Sequence, residues 1–375
     1  MFAYLDNSAT TRPCPEAVAA MVEALETGWG NPSSLYRFGM DAAHRLKAAR
    51  DQVAKALGAE PDRVFFTSGG TEADNWAIFS AMSRMGKRGR HVITTAVEHH
   101  AVLNPMRRLE EQGFEVTYLK PDALGRVCLD ALREAIRPDT VLVSVMMVNN
   151  ESGAVMPIGA MAKLTHRLAP NAIFHTDAVQ GFLKLPFQAK TLGADLISIS
   201  SHKVHGPKGA GALYIRRGLP LPPYLLGGGQ EGGYRSGTEA TPAVVGFGAA
   251  CAAALPTLRE DLAREAALRD RSAALLAEIP GVELLGAREA PHILLASIPG
   301  VPTQNTINIL QDHGVCVSAG SACARGHRSH VLEAMGLPPE TVDGAFRISL
   351  SPFTSPEELE QLAVGLTAVV QRMRR

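Results

Sequence analysis

Short apolar runs and stretches of helical periodicity fill the chain from Pro15 to Ile215, and from Arg63 onwards they alternate. The strand-like runs are Arg63–Thr67, His91–Thr95, Glu115–Leu119, Val141–Val148, Ala172–Thr176, Leu196–Ile199 and Ala212–Ile215. The helix-like stretches are Pro15–Glu26, Asp41–Leu57, Glu72–Met85, His100–Gln112, Asp130–Ile136 and Ile158–Leu168. Such alternation predicts an α/β fold, with a mostly parallel sheet sandwiched by helices. Ligands of such sheets bind at the carboxyl ends of the strands.

A different pattern follows the proline- and glycine-rich segment Leu219–Gly237. Thr241–Glu278 is rich in Ala and Leu and predicts one long helical region that leads the chain away from the sheet. Beyond it we predict strands at Val282–Leu285, His292–Ser297 and Phe346–Leu350, and helices at Thr303–His313, Arg328–Met335 and Pro356–Met373. We therefore expect a large domain over residues 15–257 and a smaller α+β domain from residues 1–14 and 258–375, which carries Cys323 and Arg347.

Composition argues against several classes of partner and compartment. Among the 375 residues, Lys plus Arg and Asp plus Glu both number 37, so charge gives no support for binding nucleic acid or an anionic membrane surface. The N-terminal sequence lacks a secretory signal pattern, and no apolar run approaches the roughly 18 residues of a spanning helix. The 5 cysteines have no CxxC spacing, which favours reduced thiols and a cytoplasmic location.

Lys203 follows the apolar run Leu196–Ile199 and stands beside hydroxyls and glycines. Lysine amines form Schiff bases with carbonyl compounds, including pyridoxal phosphate, where the site lowers the amine pKa. A solvated loop lysine is the alternative. This stretch alone does not decide between the two interpretations.

Other polar residues occur at the predicted strand ends. Thr71 lies in Ser68–Glu72, between a strand and a helix, and could help cradle a phosphate or simply cap the helix. Asp177 could hold a pyridine nitrogen protonated or form a turn. His99 could stack on a cofactor ring or move protons. Asn150 could bind a ring hydroxyl or a substrate carboxylate, or simply form a turn. Together with Lys203, Asp177 and the Thr71 segment favour a functional interpretation.

Two features belong to the C-terminal part. Cys323 lies in the small-residue segment Ser318–Gly326, where neighbouring basic residues could lower its pKa and make it a nucleophile. The alternatives are a buried cysteine or a zinc site, for which the candidate ligands are Cys316, Cys323, His327 and His330. That spacing is not the usual finger spacing. Arg347, on a strand, could bind a carboxylate or form a salt bridge.

Taken in order, these motifs resemble the cysteine desulfurase family, in the class V aminotransferase group of fold-type I pyridoxal-phosphate enzymes. The resemblance runs nearly end to end. The matching segments are Tyr4–Thr11, Gly30–Ser34, Phe66–Glu72, Val97–His100, Val148–Glu151, His175–Ala178, Ser200–Gly209, Arg235–Thr238, Ser318–Cys323 and Arg347. The order of so many motifs is more specific than any single match.

The resemblance implies a role for each matching residue. For the cofactor pyridoxal 5'-phosphate, Lys203 would carry the Schiff base, His99 would stack on the ring, Asp177 would pair with the pyridine nitrogen and Gln180 would contact the ring hydroxyl. The residues implied to hold the phosphate are Thr71, Ser200, His202 and, from the other subunit of a homodimer, Thr238. Asn150 would lie near cofactor and substrate, Arg347 would bind the substrate carboxylate, and no metal is implied.

The implied reaction converts L-cysteine to L-alanine and leaves a persulfide on Cys323. A sulfur-acceptor protein, such as an iron–sulfur scaffold, would then receive the sulfur for the biosynthesis of iron–sulfur clusters or other sulfur-containing cofactors. Selenocysteine lysis or another class V reaction is the alternative, and a metal-binding module using Cys316 and Cys323 is a further one. The sequence departs from the family pattern at Gly232, where Arg is usual, at Tyr36, and in a shortened segment after Cys323.

Overall fold

The structure is a computed structural model that describes residues 2–319 and 328–373. Its strands are β1 (Ala3–Tyr4), β2 (Val64–Thr67), β3 (His91–Thr95), β4 (Glu115–Leu119), β5 (Thr140–Ser144), β6 (Ile173–Asp177), β7 (Leu196–Ser200), β8 (Gly211–Ile215), β9 (Glu283–Leu285), β10 (Ile293–Ser297), β11 (Val315–Cys316) and β12 (Ala345–Ser349). Its α-helices are α1 (Pro15–Thr27), α2 (Arg37–Leu57), α3 (Gly70–Met85), α4 (His100–Glu111), α5 (Leu129–Ala135), α6 (Ile158–Leu168), α7 (Ala189–Leu192), α8 (Thr241–Ala254), α9 (Leu258–Ala277), α10 (Thr303–Asp312), α11 (His330–Ala334), α12 (Pro339–Asp343) and α13 (Pro356–Met373).

The central sheet has 7 strands in the order β2-β8-β7-β6-β5-β3-β4. Strands β4, β3, β5, β6 and β7 pair in parallel, whereas β8 is antiparallel to both of its neighbours, β7 and β2. Parallel sheets need cover on both faces, so their strands are apolar throughout. The mostly parallel α/β sheet predicted from the alternating pattern is confirmed.

Alternate residues of the central strands face two different cores. Val92, Leu142, Ile173 and Leu196 join the core that contains Trp76 and other residues of α3 and α4. The next residue of each strand contributes to the core on the opposite face, beneath α2, α6 and α8; these residues are Ile93, Val143, Phe174 and Ile197. Successive side chains of a strand point to opposite faces of the sheet. A pair of adjacent apolar residues in each of these four strands therefore buries both faces.

The C-terminal part forms a smaller antiparallel sheet in the order β12-β10-β9. A third core is formed by Leu294, Ala296, Phe346 and Ile348 of this sheet with residues of α9, α10 and α13. Strand β1 pairs in parallel with β11, so the N-terminal residues lie with the C-terminal part of the chain. The division into residues 15–257 and residues 1–14 with 258–375 stays a prediction.

The helical region predicted over Thr241–Glu278 is confirmed and consists of two helices. It forms α8 and α9, which meet at a bend of 80°. Pro256 lies at the break and has no N–H for a helical hydrogen bond, which explains why the apolar pattern does not continue as one helix. In the described ranges no single helix has the length and composition to cross a membrane, and only this bent pair passes that test jointly.

Candidate active site

A cavity of about 310 Å³ opens at the carboxyl ends of the central strands. Its lining comprises Ser8, Ala9, Gly70, Thr71, Asp74, His99, Met146, Val148, Asn150, Asp177, Val179, Gln180, Ser200, His202, Lys203, Ser318 and Arg347. Nine of the sequence-predicted residues are therefore in one place, although they come from segments far apart in the chain. They meet because the connections after β2, β3, β5, β6 and β7 all emerge at the same edge of the sheet.

The Lys203 amine contacts the N-terminal segment of the chain. Lys203 Nζ donates hydrogen bonds to the carbonyl oxygens of Ser8 and Ala9, at 2.5 and 2.7 Å. Burial, followed by repulsion from Arg347, lowers the pKa of Lys203 to about 8. A larger fraction of this amine is neutral near pH 7 than of an ordinary lysine, which favours nucleophilic and proton-accepting chemistry.

Asp177 ends β6 with its carboxylate beneath the cavity. Its Oδ1 accepts a hydrogen bond from the Val179 N–H at 2.9 Å, and the residue is 6% exposed. Burial and the nearby Asp74 carboxylate raise the pKa of Asp177 to about 7. Within residues 2–319 and 328–373 it has no ion-pair partner. A cationic group bound in the cavity would therefore stabilise the carboxylate form of Asp177.

Asp74, on α3, was not predicted from the sequence. It is 1% exposed, and its Oδ1 lies 3.5 Å from His175 Nε2. Burial raises the pKa of Asp74 to about 7 and lowers the pKa of His175 to about 4. Near neutral pH His175 is therefore an uncharged neighbour rather than a counter-ion. The carboxyl groups of Asp74 and Asp177 thus both line the cavity.

The N-terminus of α3 and the end of β7 form a site suited to an anion. Thr71 is in the first turn of α3, where the backbone N–H groups have no partner within the helix. Ser200 Oγ is buried without a hydrogen-bond partner in the described part of the chain. His202 Nδ1 lies 3.2 Å from Thr10 Oγ1. A phosphate would bind these donors, so the orphaned Ser200 hydroxyl fits the expected ligand.

His99 is the N-cap of α4 and lines the same cavity. Its Nδ1 accepts the Ala101 N–H at 3.1 Å, so the ring proton of the neutral form is on Nε2. Desolvation, followed by repulsion from Lys203, lowers the pKa of His99 to about 4. Part of the ring remains exposed to the cavity, so His99 presents a neutral, accessible imidazole there.

Arg347 is held on β12 at the opposite wall. Its Nη2 lies 2.9 Å from Asp6 Oδ1, and its Nη1 donates to the Asn150 carbonyl oxygen at 2.6 Å. The backbone of Arg347 also pairs with Ser318, five positions before Cys323. Arg347 is 3% exposed, and its Nε has no partner in the described residues. This is a fixed guanidinium with capacity to bind a carboxylate.

Gln180 lines the cavity between these walls. Its Nε2 donates to the Ser8 carbonyl oxygen at 2.9 Å, and its Oε1 lies 3.2 Å from His292 Nε2. Sequence reasoning missed Ser8, Asp6 and His292 as neighbours of the site. Asp6 and Ser8 stand in the motif Tyr4–Thr11, which marked the resemblance without assigning them roles, and no pattern marks His292.

Two predicted residues, Thr238 and Cys323, are not among the residues that line this cavity in the described part of the chain, for different reasons. Thr238 is exposed and does not line it. Cys323 lies outside the described residues, as does His327 of the alternative zinc set. Of the other two members, Cys316 pairs with Tyr4, and His330 Nε2 donates to the Glu98 carbonyl oxygen at 3.0 Å. Among the residues that the structure describes, no group of three or more His, Cys, Asp or Glu side chains could hold a metal ion.

The backbone conformation explains why glycine stands at position 232. Its φ is 64°, in the left-handed region that favours glycine over arginine. The preceding Glu231, with φ of 49°, is held by two 2.7 Å contacts to Arg50 and by the Phe66 N–H at 2.8 Å. Arg235 contacts Glu72 at 2.7 Å, so the segment Leu219–Gly237 is fixed to the N-terminus of α3.

Comparisons with known proteins identify the family of this chain. A model of the aminotransferase class-V family matches residues 3–362. A cysteine desulfurase of Trichormus azollae is 42% identical over 99% of this chain and 93% of its own length. The solved structure of a NifS-like protein superposes with a TM-score of 0.94 and 36% identity, covering 99% of this chain and 100% of the other.

A further solved structure, titled SspA in complex with cysteine, has a TM-score of 0.80 and 33% identity over 94% of this chain and 100% of the other. The family match spans nearly the whole chain, and the relatives align along nearly their whole lengths. The chain belongs to the class-V aminotransferase family and, within it, to the pyridoxal-phosphate-dependent cysteine desulfurases.

Proposed function

We propose that this protein converts L-cysteine to L-alanine and transfers the substrate sulfur to Cys323. The observation that carries the proposal is the single cavity that joins the Lys203 amine, the buried Asp177 carboxylate and the Arg347 guanidinium. An amine, an acid that can pair with a ring nitrogen, and a carboxylate receptor are the groups required to process an amino acid with pyridoxal 5'-phosphate.

The residues fit that cofactor. Lys203 Nζ would hold its aldehyde carbon, and Asp177 would pair with its ring nitrogen. Ser200, Thr71 and His202 would bind its phosphate, and Gln180 would contact its ring hydroxyl. His99 would stack on the ring. Among the described residues the buried Ser200 hydroxyl has no hydrogen-bond partner, and the Asp177 carboxylate has no ion-pair partner. A phosphate and a protonated ring nitrogen would supply these partners. When bound, the cofactor supplies an electron sink for the bond cleaved at Cα.

Arg347 and Asn150 would orient the substrate. Arg347 is already held by Asp6 and by the Asn150 carbonyl, so little side-chain freedom is lost when a carboxylate binds. The substrate carboxylate must share the guanidinium with Asp6. This requirement favours a compact amino acid and fixes the side of the cavity at which its α-carboxylate lies.

Lys203 would move the proton at Cα. An amine with a pKa of about 8 can accept a proton and return it within the same turnover near neutral pH. The thiolate of Cys323 attacks the substrate sulfur, a sulfur–sulfur bond forms, and the carbon–sulfur bond breaks with its electron pair going to carbon. The balance is L-cysteine plus the Cys323 thiol giving L-alanine plus the Cys323 persulfide.

We further propose a homodimer in which Thr238 of one subunit completes the phosphate site of the other. Exposed apolar side chains support it: Val18, Val22 and Leu25 share one face of α1, and Trp29 and Leu226 are 70% and 87% exposed. Light scattering of the wild type and Val22→Glu tests this, with Lys163→Glu on α6 as the control. A monomeric wild type would contradict it.

The acceptor of the persulfide would be a second protein, for which we propose an iron–sulfur scaffold or another sulfur-requiring biosynthetic protein. We also propose a cytoplasmic location, since Cys14, Cys128, Cys251 and Cys316 are all free thiols.

The deciding experiment measures sulfide and alanine after the reconstituted protein is incubated with L-cysteine and a reductant. The wild type is expected to release the two products in equal amounts, and Cys323→Ala neither. Cys316→Ala is the matched control and is expected to keep activity. A fully active Cys323→Ala would contradict the persulfide, and a wild type active only with selenocysteine would favour the selenocysteine lyase alternative.

A further inference from the structure

His292 lies immediately before β10, is not among the cavity-lining residues, and contacts one of them, Gln180. It is 1% exposed, and its Nε2 is 3.2 Å from Gln180 Oε1. The Gln180 Nε2 donates to the Ser8 carbonyl oxygen at 2.9 Å. His292 is thus the outer member of a buried chain that runs from β10 to the N-terminal segment.

The Ser8 carbonyl determines where the protons of this chain are. A carbonyl oxygen can only accept, so the Gln180 atom facing it must be the amide nitrogen. The amide oxygen then faces His292 and also only accepts, which requires a proton on His292 Nε2. His292 Nδ1 has no hydrogen-bond partner within the described ranges, consistent with an unprotonated nitrogen.

The surroundings keep His292 uncharged. Burial, and then the cations Lys184, Arg347, Lys203 and Arg269, hold the pKa of His292 well below its usual range. These cations come from four separate places in the fold: the segment after β6, β12, the turn after β7, and α9. A neutral imidazole with its proton on Nε2 is the form that both the contacts and the charges favour.

This arrangement prevents the Gln180 amide from turning over. A rotation of about 180° would bring the amide oxygen against the Ser8 carbonyl oxygen and the amide N–H groups against the His292 N–H. With the His292 proton kept on Nε2, both hydrogen bonds would be replaced by repulsive contacts. The second N–H of Gln180 therefore stays available to the cavity, which receives a donor rather than an acceptor from this side chain.

We propose that His292 is a positioning residue that fixes the Gln180 amide so that it donates an N–H to the ring hydroxyl oxygen of the bound cofactor. The inference rests on the proposed function, because it concerns that cofactor. A donor at the ring oxygen draws charge from it and weakens its hold on a neighbouring proton. The pH at which the holoenzyme chromophore titrates should therefore depend on His292, although His292 does not touch the cavity.

The test is a pH titration of the absorbance of the reconstituted holoenzyme. His292→Met removes the N–H, whereas His292→Gln keeps one at a similar reach from the backbone. We expect His292→Met to raise the titration midpoint by about one pH unit, as expected for the loss of one hydrogen bond to a charged group. His292→Gln should stay near the wild type.

The same substitutions in a Gln180→Met variant distinguish an effect through the Gln180 amide from an effect of altered packing. On Gln180→Met, which has no amide to orient, His292→Met should produce no further shift. His292→Leu serves as an apolar variant of different shape, should His292→Met fail to fold. Midpoints equal to the wild type in the apolar variants, or an undiminished shift on Gln180→Met, would overturn the proposal. A wild type that takes up no cofactor, and so shows no chromophore, would instead count against the proposed function.

Discussion

Asp74→Asn should change how the stability of the apoprotein depends on pH. Asp74 is 1% exposed, and its nearest basic neighbour, His175, has a pKa of about 4 and is neutral near pH 7. Burial raises the Asp74 pKa from 3.8 to about 7. At high pH the wild type must therefore bury a carboxylate that has no cationic partner among the described residues, whereas asparagine has nearly the same shape and no charge.

The direction follows from the two pKa values. The Asp74 pKa is 3.8 in the unfolded chain and about 7 in the folded protein. Between these two pH values the folded protein holds a proton that the unfolded chain has lost, so the free energy of unfolding falls as the pH rises towards 7. Each unit of this interval corresponds to about 1.4 kcal/mol. Raising the pH from about 5 to 7 or above should therefore cost the wild type about 2 to 3 kcal/mol at this site.

Asp177 contributes in the same direction, since its pKa is also raised to about 7 and Asp74 is one of the causes. Asp74→Asn removes the contribution of Asp74 to the pH dependence of stability and reduces the contribution of Asp177. Its curve should therefore be flatter than that of the wild type, and the variant should be the more stable protein above about pH 7.

The assay is equilibrium urea unfolding of the apoprotein from about pH 5 to 8, at one fixed protomer concentration because association would shift the midpoint. Asp270→Asn, at an exposed position on α9, is the matched control and should run parallel to the wild type. Parallel curves for Asp74→Asn and the wild type would refute the reasoning. A variant less stable by the same amount at every pH would show that hydrogen bonding at Asp74 outweighs its buried charge.

Three further predictions concern the cavity and its support. Lys203→Ala should still bind the cofactor but lose its covalent attachment, which would be seen as a free-aldehyde spectrum and as cofactor removed by gel filtration; retention through denaturation would contradict the role of Lys203. Arg347→Lys should raise KM for L-cysteine about tenfold, because one ammonium replaces a fixed guanidinium, and an unchanged KM would assign the carboxylate to another group. Glu231→Gln should lower the free energy of unfolding by about 3 kcal/mol, because Arg50 loses a buried ion pair, with exposed Glu260→Gln as the control. A Glu231→Gln variant as stable as that control would show that the ion pair only offsets its own desolvation.

The sequence predicted most of the central sheet because its strands are buried on both faces. His91–Thr95 and Glu115–Leu119 have the bounds predicted from their apolar runs. The run Val141–Val148 was predicted as one strand, but the strand ends at Ser144. Its remaining residues are buried in the loop that leads to Asn150, and burial alone does not distinguish a strand from a buried loop.

By itself the sequence determined the residue types of the site and the topological reason for their meeting. Asp177 ends a strand of the mostly parallel sheet, and Lys203, Thr71 and His99 follow such strands, which end at one edge. Only the tertiary structure decided which groups support them. Asp74 acts on the charge of Asp177, Asp6 is hydrogen-bonded to Arg347, and His292 is hydrogen-bonded to Gln180. These contacts join residues up to 341 positions apart, with no periodic pattern to mark them. The charge and proton state of the site depend on burial and distance, which a linear sequence does not contain.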